Sequence, residues 1–253
     1  MEASQPSEDF ASLALRLADH LDAGHYGRGA LEDLKAKAWS RVGNALRIRA
    51  ELATAEEAFA KGFAHLRRGT GDPLEKAVCL DLRASFLFDS KRFDGAERLQ
   101  ERAIATFLEA GDRHRAGRAL MGLGTIIAIA GNPELGRSIQ FDASELIDEK
   151  REPHLLFFIL HNLVDDLSLA GRTMEAQALL RRVRPYYSRF TSLAVESRRQ
   201  WLEGRIALQL GHYSSARALL GSAYDGCQRS GRLLDAQEVA KSLQSVPGSP
   251  KGA

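Results

Sequence analysis

The chain has 253 residues, of which 44% are hydrophobic and 27% charged, with a formal net charge of +2. This balance is ordinary for a folded chain, and so small a net charge removes the electrostatic argument for a nucleic-acid or anionic-membrane partner. Two cysteines, Cys79 and Cys227, are too few for a disulfide framework and fit a reducing compartment.

Residues 1–6 read as a disordered tail. The opening MEASQPSEDF is polar and acidic and lacks the apolar centre of a signal peptide. No run approaches the ~18 apolar residues of a membrane span, so a cytoplasmic, bacterial protein is expected. Ser7 can cap a helix from Glu8 to about Asp22, with Phe10, Leu13, Leu17 and Leu21 as its apolar stripe. Gly24 to Gly29 is a breaker-rich loop, so residues 7–28 form a capping helix and loop. Five helix pairs are then expected over 29–71, 72–111, 112–152, 153–191 and 192–231. A capping helix follows over 232–245, with Leu233, Ala236, Val239, Ala240 and Leu243 as its apolar stripe, and then a flexible tail over 246–253. The total is about twelve helices and no strand, because sustained apolar–polar alternation is absent.

The five pairs rest on three columns of small residues. Gly43, Ala84, Gly124, Val164 and Gly204 form the first. Ala55, Ala96, Gly136, Ala176 and Ala216 form the second. Gly62, Ala103, Ala143, Val183 and Ala223 form the third. The step is 41 residues once and 40 thereafter, and the columns lie 12 and 7 residues apart in every unit. Such a period marks a solenoid whose units bury their apolar faces against their neighbours. The first helix of each unit adds an apolar residue three places later: Leu46, Leu87, Ile127, Leu167 and Ala207. Turns at Lys91-Arg92, Gly131-Asn132-Pro133, Gly171-Arg172 and Gly211-His212 separate the two helices. Links at Gly71-Asp72-Pro73 and Gly111-Asp112 join units, with Gly suited to a left-handed helix exit and Asp to a cap. The later links, Arg151-Glu152-Pro153 and Thr191-Ser192, are less regular.

Small residues once in the first helix and twice in the second, at these offsets, resemble the tetratricopeptide repeat. The fragments that carry the likeness are VGNAL (42–46), LGTII (123–127) and LEGRIALQLGHYSSARALLGSA (202–223), with Trp39 where many such repeats open. The resemblance covers about residues 30–230 and implies an all-α, right-handed helical-hairpin solenoid. The family period is about 34 residues, so longer second helices or links are expected here. The proline the family often places at the end of the second helix is not found.

No catalytic set is legible. The seven histidines have no HExxH or CxxC company; His161 and Asp165 stand one helical turn apart, too few for a metal site. Gly69-Thr70-Gly71 and Gly27-Arg28-Gly29 lack a phosphate loop's GK[ST] and read as helix ends. Carboxylate pairs such as Asp165-Asp166 and Glu56-Glu57 read as solvated helix faces. No enzyme activity and no cofactor or metal are expected.

The resemblance implies a concave surface lined by the first helices, where partners lie as extended peptides or helices. Helical periodicity then offers Lys37, Arg41, Asn44 and Arg47 in unit one, Asp81 and Ser85 in unit two, and Arg118 and Thr125 in unit three. Units four and five add His161, Asn162 and Asp165, and Arg198, Trp201 and Arg205. Arg118, Arg198 and Arg205, with Trp201 as an aromatic anchor, suit the acidic groups of a protein or peptide. Some relatives clamp a terminal carboxylate with Lys and Asn; Asn44 matches, but Ser40 stands where that Lys belongs. The expected function is a non-enzymatic scaffold for a protein or peptide. The alternative is a regulatory sensor in which a signalling peptide or small ligand controls a transcriptional or signalling partner. RNA binding is a weaker third, since base-reading arrays are typically more basic.

Overall fold

A computed structural model describes residues 5–190 and 192–248; the expected tail residues 1–4 and 249–253, and Thr191, lie outside them. Among the described residues there are thirteen helices and no strand. They begin with α1 (Gln5–His20), α2 (Ala23–Tyr26), α3 (Arg28–Ile48), α4 (Leu52–Leu66) and α5 (Pro73–Asp89). The middle holds α6 (Phe93–Glu109), α7 (Arg113–Ile129), α8 (Pro133–Leu146) and α9 (Pro153–Leu169). The array closes with α10 (Thr173–Tyr187), α11 (Leu193–Gln209), α12 (Tyr213–Arg229) and α13 (Leu233–Gln244).

The extra helix is α2, one turn inside the expected loop. Asp22 caps it by accepting from the Gly24 backbone N–H at 2.8 Å. The first helix already runs from Gln5, so Ser7 is not its cap. The first residues of the expected last tail are packed against the array. Val246 is buried beside α12 and α13, and Arg217 donates to the Pro247 carbonyl at 2.9 Å.

The long period has a simple origin. Helices α5, α6, α7, α9, α11 and α12 are each 17 residues long. Positive-φ residues close them at Lys91, Gly111, Gly131, Gly171, Gly211 and Gly231, spaced by 20 or multiples of 20. At these six turns the residue after the left-handed one donates its N–H back across the last turn, as Arg92 does to Leu87 and Asp112 to Phe107, both at 2.8 Å. That is a Schellman closure, which needs the left-handed residue between. Unit four departs from the expectation about proline: Pro185 stands in the last turn of α10.

Each hairpin packs α3 on α4, α5 on α6, α7 on α8, α9 on α10 and α11 on α12; the second helix then meets the first helix of the next unit. The small columns sit at these crossings. A methyl placed on Gly124 would lie 2.9 Å from the Gly136 carbonyl oxygen and 2.9 Å from Gln140 Nε2. On Gly43 it would meet Phe59 at 2.9 Å and on Gly204 it would meet Leu220 at 2.8 Å. Residues 16 places after the first column, Phe59, Gln100, Gln140, Leu180 and Leu220, are therefore all buried against it. The core is a series of layers, from Phe59 and Phe86 through Phe107 to Phe157 and Tyr187 and finally Leu220 and Val239. Cys79 and Cys227 are free and buried in different layers.

One core column is broken. Ala45, Phe86, Ile126 and Ile206 are buried at equivalent places, and Asp166 occupies the fourth unit's place at 3% exposure. Asp166 is thus not on a solvated face, in contrast to the expectation for the Asp165-Asp166 pair. Its Oδ2 has no hydrogen-bond partner, and burial raises its pKa from 3.8 to about 7.

Two stability predictions follow from this packing. Gly124→Ala should cost ~1–3 kcal/mol by overpacking. Gly221→Ala, where a methyl meets nothing within 4 Å, should gain up to about 1 kcal/mol; urea midpoints check both. For Asp166, a raised folded-state pKa gives stability that is complete below 3.8 and lost as pH rises through about 7. Asp166→Asn should therefore change little at pH 4 and stabilise at pH 8 by up to roughly 4 kcal/mol, read from urea melts across that range.

Candidate functional site

The first helices α3, α5, α7, α9 and α11 face a common interior, and α13 takes the place of a sixth. Side chains on this face bond mainly to the next helix along. Lys37 Nζ meets Glu75 at 2.9 Å, and Arg118 Nη2 meets Asp81 at 3.1 Å. Asp81 also accepts from Gln100 Nε2 at 2.8 Å. Arg47 pairs with Asp89, with Asn44 Oδ1 accepting from its Nε at 3.1 Å. Asn162 donates to Thr125 Oγ1 at 3.3 Å, Arg205 pairs with Asp165, and Arg198 Nε lies 3.7 Å from Asp235. Trp201 Nε1 donates to Ser242 Oγ at 3.2 Å.

The array curls far enough for α13 to touch α3, and Lys91 Nζ, in the α5–α6 turn, reaches Glu238 Oε1 on α13 at 3.2 Å. The curl borders a partly open cavity of about 320 Å³, within the ~300–1,000 Å³ range of ligand pockets. Six of the twelve expected residues line it together: His161, Asn162, Asp165, Arg198, Trp201 and Arg205. Thr125 joins them from α7. The other six do not reach it. Lys37, Asn44, Arg47, Asp81 and Arg118 are tied into the wall by the bonds above, and Arg41 borders an apolar groove between α1 and α3.

Sequence reasoning missed the closing side. Phe88, Asp89 and Lys91 contribute from the end of α5 and its turn, and Asp235, Glu238, Lys241 and Ser242 from α13. A signal for α13 was present: Lys241 and Ser242 stand 40 residues after Trp201 and Leu202, continuing the first-helix columns. Reading α13 only as a cap hid it.

Charge in the cavity is dense and mostly paired. Lys91, Arg198, Arg205 and Lys241 line it, and Arg47 and Arg232 bond to its carboxylates Asp89 and Asp235. With Asp165 and Glu238 this makes six cations around four carboxylates. Arg205 stacks its guanidinium 5.6 Å from the Trp201 ring centre, and its buried Nε has no hydrogen-bond partner. Burial holds the Arg205 pKa down near 10, and burial followed by the Arg232 charge lowers Arg198. His161 does not meet Asp165; its Nδ1 lies 2.6 Å from the Tyr187 hydroxyl. Burial first, then the charges of Arg198 and Arg205, push its pKa from 6.5 down to about 3. The ring is therefore neutral at ordinary pH. Among the described residues no group of three or more His, Cys, Asp or Glu side chains is gathered to hold a metal ion. No helix among them is long and apolar enough to cross a membrane.

No family model matches this chain, and no curated protein matches it. Among solved structures it is similar to the crystal structure of BtubC (BKLC) from P. vanneervenii, at 15% identity with a TM-score of 0.62. The likeness covers 100% of this chain and 97% of that one, and it supports a helical repeat solenoid.

Nitrogen-detected NMR of the histidine rings should find His161 neutral down to about pH 4, since its folded-state pKa lies near 3. Stability linked to this ring is lost as pH falls from 6.5 toward 3. A titration midpoint near 6.5 would show a hydrated cavity and contradict the geometry described.

Proposed function

We propose that this chain is a tetratricopeptide-like, non-enzymatic binding module that acts in the cytoplasm and takes an acidic segment of a partner protein or peptide into its concave cavity. The observation that carries the reading is the convergence of Arg198, Arg205 and Trp201 on one concave space, with Lys91 and Lys241 at its edge. Charge-assisted bonds from guanidinium groups beside an aromatic face suit a carboxylate-bearing segment. Two free, buried thiols agree with a reducing compartment.

A second reading is favoured by the closure through α13. A cavity of about 320 Å³ is nearer in size to a small ligand or the end of a peptide than to a long helix. An occupant able to shift α13 would make the module a regulatory sensor for a transcriptional or signalling partner.

The test uses the tagged full chain as bait. Trp201 packs partly against the core layer of Ala216 and Leu220, so Trp201→Phe with Arg205→Gln replaces a harsher truncation. A partner captured by the unchanged chain should be lost by this pair by more than ~2 kcal/mol of affinity, and binding should weaken with added salt. Arg98→Ala and Arg181→Ala on the outer face should leave capture unchanged. Loss of capture with the outer pair alone would overturn the cavity as the binding surface.

A further inference from the structure

Two turns of the series lack glycine at the left-handed position. Gly111, Gly131, Gly171, Gly211 and Gly231 fill it elsewhere, but Ala50 takes φ 65° after α3 and Lys91 takes φ 60° after α5. Glycine adopts that conformation freely and a residue with a Cβ does so at a cost. Of the two, Lys91 carries a charged side chain, and that side chain reaches α13. Its ammonium lies 3.2 Å from Glu238 Oε1, and Lys241 Nζ lies 2.9 Å from the same oxygen. Two lysines thus bracket one carboxylate oxygen at the rim of the cavity. Burial pushes the Glu238 carboxyl up, but hydrogen bonds from Lys241 and Lys91 outweigh it and hold the pKa below the usual value.

The arrangement is fastened weakly. Lys91 is 53% exposed and Lys241 66% exposed along their side chains, and an exposed ion pair adds little to stability. The surrounding cluster holds two more cations than carboxylates. Beneath the lysines lie Phe88, Ile129, Trp201 and Leu234, an apolar and aromatic floor. An anion carried on an apolar body would find a charged rim and a matching floor.

We propose that Glu238 is the chain's own stand-in for a ligand carboxylate: an anionic group borne on an aromatic or apolar body replaces it between Lys91 and Lys241, and the ligand then makes the link between the α5–α6 turn and α13. This rests on the cavity reading above and adds its ligand class. The two lysines contribute charge recognition, and the Trp201 side contributes apolar contact. The bond made to the incoming carboxylate replaces the one released from Glu238, so entry costs little net electrostatic energy.

The probes are phenylacetate, the peptide acetyl-Gly-Gly-Asp-Phe-amide, and benzyl alcohol as the uncharged control, followed by NMR on the full chain. Glu238→Gln should bind at least one anionic probe several-fold more tightly than the unchanged chain, because the competitor is gone. Lys91→Gln with Lys241→Gln should lose that binding, and benzyl alcohol should not distinguish the variants. Binding of phenylacetate alone identifies a free small acid, and binding of the peptide identifies a segment-borne carboxylate; both support the proposal. It is overturned if Glu238→Gln binds no better than the unchanged chain, or if no protein binds either anion. The failure of the broader reading is distinct: there, Trp201→Phe with Arg205→Gln would leave partner capture intact, whatever Glu238 does.

Discussion

At the crossing of α7 and α8 two glycines face each other and the backbones come close together. The Gly136 carbonyl stands where a methyl on Gly124 would have to go, and a methyl on Gly136 would in turn meet the Gly124 carbonyl at 2.7 Å. This close approach, repeated with Gly, Ala or Val through the array, sets the separation of each hairpin's helices. The equal 17-residue helices and left-handed turns then fix where the next hairpin starts. Curvature accumulates from these small steps, and the interior formed by the first helices is its product.

That interior is a wall before it is a site. Most of its polar side chains serve neighbouring helices: Lys37 holds Glu75, Arg118 holds Asp81, Asn162 holds Thr125. Such pairs lie about one repeat apart in sequence and stitch consecutive units along the inner face. The cavity opens where the wall meets α13 and the residues become larger and more charged. There the pairing is incomplete, with an Arg205 Nε left without a partner and more cations than carboxylates. His161 sits neutral among these charges because burial and two arginines together outweigh its basicity. Charge is thus concentrated at one place on the face.

The repeat was readable because small residues at a backbone crossing leave little chemical choice. Gly43, Gly124 and Gly204 report the same steric limit, so their spacing carried the hairpins and their order. The second-helix residues that fill those crossings were harder to see, because Phe59, Gln100, Gln140 and Leu180 share burial and not chemistry. Asp166 was misread for the complementary reason: beside Asp165 it looks like part of a polar face, and only its place in a column of buried residues reveals its setting. For the cavity, residues on α9 and α11 were legible from helical periodicity. Lys91 and the α13 side were not, since which distant turn meets which helix depends on curvature summed over the array, and no local pattern encodes that sum.

The meeting of α13 with α3 changes what kind of object a repeat protein is. An open array melts from its ends, each terminal unit detaching with only one neighbour to hold it. Here the last helix touches the first full unit, so the end that would fray first is held by residues far away in the chain. Loosening that contact would do more than open a space. It would return the molecule to a linear stack with two free ends, each able to fray without the other.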